Sequence, residues 1–257
     1  MMDCKSVHNN TIEFSHYGIY SEKVKNELTI AHLSDLHEKE FGLHNKQLFD
    51  KVKSVNPDFI AMTGDIVAHE KQKTLNSDYT KRLARGLSKI APTYFVTGNH
   101  ERKFFKQIKT MFDEYGIITV KEKMHTILVK ETIINLSGMD DISFEDSDVL
   151  KSVLPFKKSE GFNVFLAHRP EYFPLYINKN IDLILCGHTH AGQIRFPVIG
   201  SFAMSGQGLF PKYMQGEFVE GNTTMIISRG LGSSGYPAVR INNPPELVVV
   251  NVAPLLP

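Results

Sequence analysis

Apolar and polar positions alternate along the chain in a strand-then-helix rhythm. From Leu28 an apolar run, Leu28-Thr29-Ile30-Ala31-His32-Leu33, closes in the polar pair Ser34-Asp35, and the stretch that follows sets Leu48, Phe49, Val52 and Val55 on one helical face. The same grammar returns with a strand from Phe59 to Thr63 and a helix from Tyr79 to Ile90, then with a strand from Thr93 to Thr97 and a helix from Phe104 to Tyr115. Three such units in succession predict parallel strands, because parallel neighbours need a crossover and a helix supplies it. After Gly116 the segments shorten: Ile117 to Val120, Thr126 to Val129 and Thr132 to Ser137 predict strands, and Ser147 to Leu154 predicts a helix. Apolar strands resume at Phe162 to Ala167 and Ile181 to Cys186, and the Gly-rich final third adds strands at Thr224 to Ser228 and Leu247 to Val252. The expected fold is α/β: two mixed sheets packed as a β-sandwich and flanked by helices. No period of roughly 20 to 50 residues repeats, so residues 1–257 are expected to fold as one domain.

Composition narrows the function classes. With 257 residues, 42% of them apolar and 22% charged, the chain is long enough for a large core. Lys and Arg number 29 against 28 Asp and Glu, and this net +1 removes the broad basic field of a protein that grips nucleic acid through its phosphates. The stretch Ile181-Asp182-Leu183-Ile184-Leu185 carries its own carboxylate and falls far short of the roughly 20 apolar residues that span a bilayer. Met1 to Val24 holds Asp3, Glu13 and Glu22 with no apolar core of a signal peptide, so a cytoplasmic location is expected. Cys4 and Cys186 are too few for a disulfide framework and read as idle or buried thiols.

The polar residues sit where five of these strands end. The clusters are Asp35-Leu36-His37, Gly64-Asp65, Gly98-Asn99-His100-Glu101, His168, and Gly187-His188-Thr189-His190. A single aspartate after a strand is usually a cap or a turn former, and a single histidine is usually a surface or hydrogen-bonded core residue. Here five of the eleven histidines, two aspartates and an asparagine stand at the same end of five predicted strands, the edge at which open α/β sheets bind ligands. Carboxylate and amide oxygens mixed with imidazole suit divalent Mn, Fe, Zn or Co better than a structural thiolate zinc site.

These five blocks, in this order, resemble the calcineurin-like metallophosphoesterase superfamily, whose pattern is Asp-x-His, Gly-Asp, Gly-Asn-His-(Asp/Glu), His and Gly-His-x-His. The resemblance spans about Leu28 to His190, and Gly192 to Pro197, Ser228 to Gly232 and Asn243 to Leu247 are similar to the YkuE/YaeI type of small bacterial phosphohydrolase. It implies a helix-flanked two-sheet sandwich and a phosphoesterase that cuts phosphodiester or pyrophosphate bonds with a hydroxide bridging two divalent ions. It also implies that Asp35, His37 and His190 hold the first ion, that Asn99, His168 and His188 hold the second, and that Asp65 bridges both. His100 would lie beside the phosphate, protonating the leaving oxygen or stabilising charge on it. Ala68 departs from the pattern, because relatives often carry a second acidic residue there, and the departure touches metal preference more than the reaction. Relatives of this type also commonly carry an export signal or membrane anchor, and none is read before Leu28.

Other features are less specific. Arg102, Lys103, Arg169 and Arg195 could bring positive charge to a substrate mouth, Arg195 being the strongest candidate, although solvated surface charge is the plainer reading of each. Phe104-Phe105, Tyr172-Phe173 and Phe202 to Phe210 could line a lipid or nucleobase pocket, but core packing explains such residues more often. Gly206, Gly208, Gly230, Gly232 and Gly235 form no recognised nucleotide-binding loop and read as tight turns around the mouth. The expected partner is a phosphate-ester substrate, with nucleotide-diphosphate and lipid-linked compounds among the candidates. A phosphomonoesterase, a nuclease and a non-enzymatic interaction domain on the same fold are the alternatives.

Overall fold

The computed structural model describes residues 10–121, 123–144, 156, 159–195, 203–204, 208–209, 211–234 and 239–255. The predicted helix Ser147 to Leu154, Cys4, Gly206, Gly235 and most of the Phe202 to Phe210 segment lie outside them.

The first sheet holds β1 (Glu13–Ser21), β2 (Leu28–Leu33), β3 (Phe59–Met62), β4 (Thr93–Phe95), β5 (Ile118–Thr119) and β14 (Glu246–Pro254), in the spatial order β1-β14-β2-β3-β4-β5. The strands from β2 to β5 are mutually parallel, as the three strand-helix units predict, and β14 enters antiparallel to β2 with Val250 opposite Ile30. The second sheet, in the order β12-β13-β9-β8-β7-β6, comprises β6 (His125–Val129), β7 (Thr132–Gly138), β8 (Phe162–Leu166), β9 (Leu183–Cys186), β12 (Gly216–Glu220) and β13 (Thr223–Ile227). Its centre, β7-β8-β9-β13, is parallel, and both edges are antiparallel hairpin partners. A separate two-stranded ribbon pairs β10 (Ala203–Met204) with β11 (Gly208–Leu209).

Period-two alternation sorts the side chains into layers. Ile30, Phe59, Ala61, Tyr94 and Val250 of the first sheet meet Leu136, Val164, Leu166, Leu185 and Ile226 of the second in the central core. The opposite face of the first sheet, with Ala31, Leu33, Ile60, Met62 and Phe95, takes Leu48 and Val52 of α1 (Lys46–Ser54), Tyr79, Leu83 and Leu87 of α2 (Ser77–Leu87), and Ile108 and Phe112 of α3 (Phe105–Glu114). The outer face of the second sheet packs Phe165, Ile184 and Cys186 against Phe173 and Tyr176 of the short α4 (Phe173–Tyr176). Strands buried on both faces explain the near-continuous apolar runs of β3, β8 and β9. Among the described residues no helix is long and apolar enough to cross a membrane.

Besides the short ribbon strands β10 and β11, two strands of the main sheets were not predicted, β1 and β12. Both are edge strands with mostly exposed or half-buried positions, and an edge strand needs no apolar run because only one side of its backbone is paired. Phe104 and Phe173 are core residues, as the packing reading holds, and Cys186 is a buried free thiol whose pKa burial pushes up.

Candidate metal centre

The five polar clusters leave the sandwich at one edge, and their turns are stitched together across it. The Asp35 N–H donates to Gly64 O (3.0 Å), the His37 N–H to Asp65 O (2.9 Å) and the Gly187 N–H to His168 O (3.0 Å). Asp35 links the two sheets, since both its carboxylate oxygens lie 3.1 Å from the His188 N–H. Asp35, His37, Asp65, His188 and His190 all adopt positive φ, between 46° and 70°. Such left-handed geometry costs a non-glycine residue about 1 kcal/mol or more and persists where surrounding structure enforces it. The glycines allow the loops to meet: a methyl group on Gly98 would strike the Asp65 carboxylate, and one on Gly187 would strike Ser34 Oγ and Asp35 Oδ2. The turn at Gly230-Leu231-Gly232 closes the same wall, its Leu231 N–H donating to Ser34 O and its Gly232 N–H to Asp35 O.

The imidazoles meet in two pairs. His37 Nε2 lies 3.0 Å from His190 Nε2, and His168 Nε2 lies 3.1 Å from His188 Nδ1. The far nitrogens of two of these rings are committed: His37 Nδ1 donates to Val67 O (3.1 Å) and His168 Nδ1 to Thr63 O (2.7 Å). A carbonyl can only accept, so Nε2 is the nitrogen that each of these rings turns inward. Asp65 Oδ2 lies between the pairs, 3.4 Å from His168 Nε2, 3.7 Å from His100 Nε2 and 3.8 Å from His37 Nε2, and Asp35 Oδ1 lies 3.5 Å from His190 Nε2. Asn99 Oδ1 is buried without a hydrogen-bond partner. A buried amide oxygen left in this way is costly unless a cation or water meets it. Three groupings, Asp35-His37-His190, His37-Asp65-His100 and Asp65-His168-His188, each bring donor atoms close enough to hold an ion. Oxygen and imidazole donors in these numbers fit divalent transition ions.

The electrostatics follow from burial and from the two aspartates. Burial pushes the Asp35 carboxyl up, to about 6, against the pull of His168. Asp65 is equally buried, yet His168, His37 and His100 hold it well below the usual carboxylate range. Burial opposes protonation of His168, but Asp65 prevails and lifts it to about 10. His37 and His188 are driven down by burial, to about 4 and about 3, so both rings are neutral.

Glu101, Arg240 and Asp141 complete the site without having been singled out in the sequence, and Arg169, read there as a candidate for charge at the mouth, stands beside them. Glu101, fully buried, accepts the N–H groups of Asp65 (2.8 Å), Ile66 (2.9 Å), Val67 (3.1 Å) and Gly98 (2.7 Å), clamping two of the loops together. Arg240 is buried behind His190, donating to Arg229 O (2.8 Å) and Gly232 O, with Nη2 3.2 Å from His190 Nδ1. Arg169 joins Asp141 through Nε (2.6 Å) and stands 3.2 Å from His188 Nε2, so it borders the site while its charge is already engaged. Burial would raise Asp141, but His168 and Arg169 hold it below its ordinary value. Glu101 lay inside a quoted motif with nothing local to show what it binds; Arg240 lies in no motif at all. A cleft of about 260 Å³ opens over Asp65, Asn99, His100, His188 and His190. It shares Glu70, Asn99 and His100 with a cavity of about 390 Å³ that Lys71, Arg102 and Lys103 also line. Arg102 and Lys103 therefore reach the mouth, whereas Arg195 lines neither space; its described hydrogen bonds are made by its backbone, the N–H donating to Ile241 O and the carbonyl accepting from Asn242 Nδ2.

Comparison with known proteins agrees with this geometry. Residues 28–192 match the family model described as Calcineurin-like phosphoesterase. The chain is 28% identical to the metallophosphoesterase YkoQ of Bacillus subtilis, over 95% of this chain and 89% of that protein. It is 26% identical to the phosphodiesterase YaeI of Escherichia coli, over 87% of this chain and 81% of that protein. Among solved structures, the NAD nucleotidase NadN of Haemophilus influenzae superposes with a TM-score of 0.54 at 15% identity, covering 84% of this chain and 49% of that one, a likeness of fold.

Proposed function

The chain belongs to the calcineurin-like phosphoesterase family of metal-dependent hydrolases, and from that premise we propose that it is a two-metal phosphoesterase acting on phosphodiester or pyrophosphate bonds. In this reading Asp35, His37 and His190 hold one ion, Asn99, His168 and His188 hold the other, and Asp65 serves both. The observation that carries it is the position of Asp65 Oδ2, within 3.8 Å of imidazoles from both pairs. The unpartnered Asn99 Oδ1 supports a place for that amide in the second set. When bound, the ions supply Lewis acidity and lower the pKa of a shared water. The residues do the rest. Two carboxylates, neutral imidazoles and an amide leave a positive remainder for a phosphate to neutralise. His100 lies beside Asp65 at the cleft wall, with Nδ1 anchored on Val67 O at 3.2 Å, and is assigned the proton that the leaving oxygen receives at Nε2.

The continuity of the cleft with the cavity beside Lys71, Arg102 and Lys103 supports a substrate with a second substituent on phosphorus. The relative YaeI, a phosphodiesterase, points the same way. The test is turnover of manganese-reconstituted protein on phosphomonoesters, cyclic and linear diesters, and nucleotide-diphosphate compounds, with Asp65→Asn alongside. Diester or pyrophosphate cleavage that Asp65→Asn abolishes is expected. Near wild-type turnover in that variant would overturn the bridging role, and protein that binds no ions and cleaves none of these esters would be an interaction domain instead.

A further inference from the structure

Residue 67 joins two groups that the reaction separates. Its carbonyl oxygen lies 3.1 Å from His37 Nδ1 and 3.2 Å from His100 Nδ1, so both rings donate to the same atom. The rings touch edge to face, with centroids 4.7 Å apart. The Val67 N–H is in turn held by Glu101 Oε1 at 3.1 Å, and the same oxygen takes the Ile66 N–H at 2.9 Å. Oε2 takes Asp65 N–H and Gly98 N–H. One carboxylate thus fixes three successive residues, 65 to 67, and ties them to the loop that carries His100. The next residue, Ala68, has no polar side chain that could replace the carbonyl as a partner for His100.

We propose that Glu101 is a positioning residue for leaving-group protonation, acting through Val67, whose single carbonyl sets the orientation of both the proton donor His100 and the metal-set histidine His37. The proposal rests on the assignment of His100 made above. Freed from Glu101, the Val67 carbonyl can turn, and both imidazoles lose the acceptor that fixes which nitrogen faces the cleft. Loss of a supporting hydrogen bond of this kind typically lowers activity or metal affinity by ~10- to 100-fold.

The experiment compares two diesters, one with a p-nitrophenyl and one with a methyl leaving group, because only the poor leaving group depends on a proton. In Glu101→Gln an amide N–H₂ would face backbone donors, and kcat for the methyl ester should fall at least ~10-fold further than kcat for the p-nitrophenyl ester, with KM little changed. Because that variant can also unfold the loops, a second protein keeps every other side chain and replaces Ala68 by lactic acid, turning the Val67–Ala68 amide into an ester with a weaker carbonyl acceptor. It should show the same selectivity, and the Nδ1–H resonances of both His37 and His100 should shift in ¹⁵N-labelled protein. Equal slowing of both esters, or unshifted imidazole resonances in the ester protein, would overturn the proposal. His100→Asn separates the two readings: if it shows no leaving-group selectivity, the acid assignment fails; if it does and the ester protein does not, the positioning role alone fails.

Discussion

His37 and His190, 153 residues apart in the chain, face each other through Nε2 atoms 3.0 Å apart, with their rings stacked at 4.9 Å. With His37 Nδ1 bound to Val67 O, the two Nε2 atoms, that of His190 also 3.5 Å from Asp35 Oδ1 and 3.4 Å from Ser234 Oγ, are placed to share a cation or a proton. Replacing His190 by Ala should therefore reduce the metal content of reconstituted protein from two ions to one per chain, measured by elemental analysis. Two ions retained would move His190 out of the ligand set.

Metal uptake should release protons. Asp65 keeps His168 protonated to about 10, and burial keeps Asp35 protonated to about 6. An entering cation must displace whatever proton these groups hold. Between pH 7 and 9 His168 gives up one, so affinity should rise with pH by up to about tenfold per unit. Below about pH 6 Asp35 adds a second proton and the dependence should steepen. Calorimetry in buffers of differing ionisation enthalpy counts these protons; uptake with none released would refute the reading.

His32 should make the fold sensitive to acid. It is fully buried on β2, and burial lowers its pKa to about 3. Thr63 Oγ1 donates to Ser34 Oγ, so His32 Nε2 is the donor to Thr63, and Nδ1 is left buried without a partner. The unfolded chain takes up a proton near pH 6.5 that the folded chain refuses, so stability is lost as pH falls from about 6.5 toward 3. The slope from this group approaches about 1.4 kcal/mol per pH unit. Denaturant unfolding at pH 7, 6 and 5 should show it, and His32→Leu should remove this share of the slope while the shares of His37 and His188 remain.

Gly187→Ala should destabilise the site more than the rest of the molecule. The added methyl has Ser34 Oγ and Asp35 Oδ2 in its place, and overpacking of this kind typically costs about 1–3 kcal/mol. Thermal melts should shift downward and metal retention should fall with them. An unchanged melt would mean that the loops can separate freely.

Much of this molecule is local in its physics and so could be read along the chain. The runs that became β2, β3, β4, β8 and β9 are buried on both faces, and burial on both faces demands an unbroken apolar stretch. Asp35, His37, Asp65, Asn99, His100, His168, His188 and His190 follow those strands directly, so recognising the strands placed them at one edge. The edge strands β1 and β12 carry no such demand, and Arg195 showed no local sign that it would miss the mouth.

What required the third dimension was every pairing between residues distant in the chain. Glu101 is an acidic residue among 28 until its carboxylate meets the N–H groups of residues 65 to 67, and Arg240 is an ordinary basic residue until it closes behind His190. A hydrogen bond to a backbone amide can be made by any residue of suitable length, so it leaves no periodicity or spacing in the sequence. Composition and pattern set which atoms are available at the sheet edge; chain packing decided which of them share a carbonyl, a carboxylate or a proton.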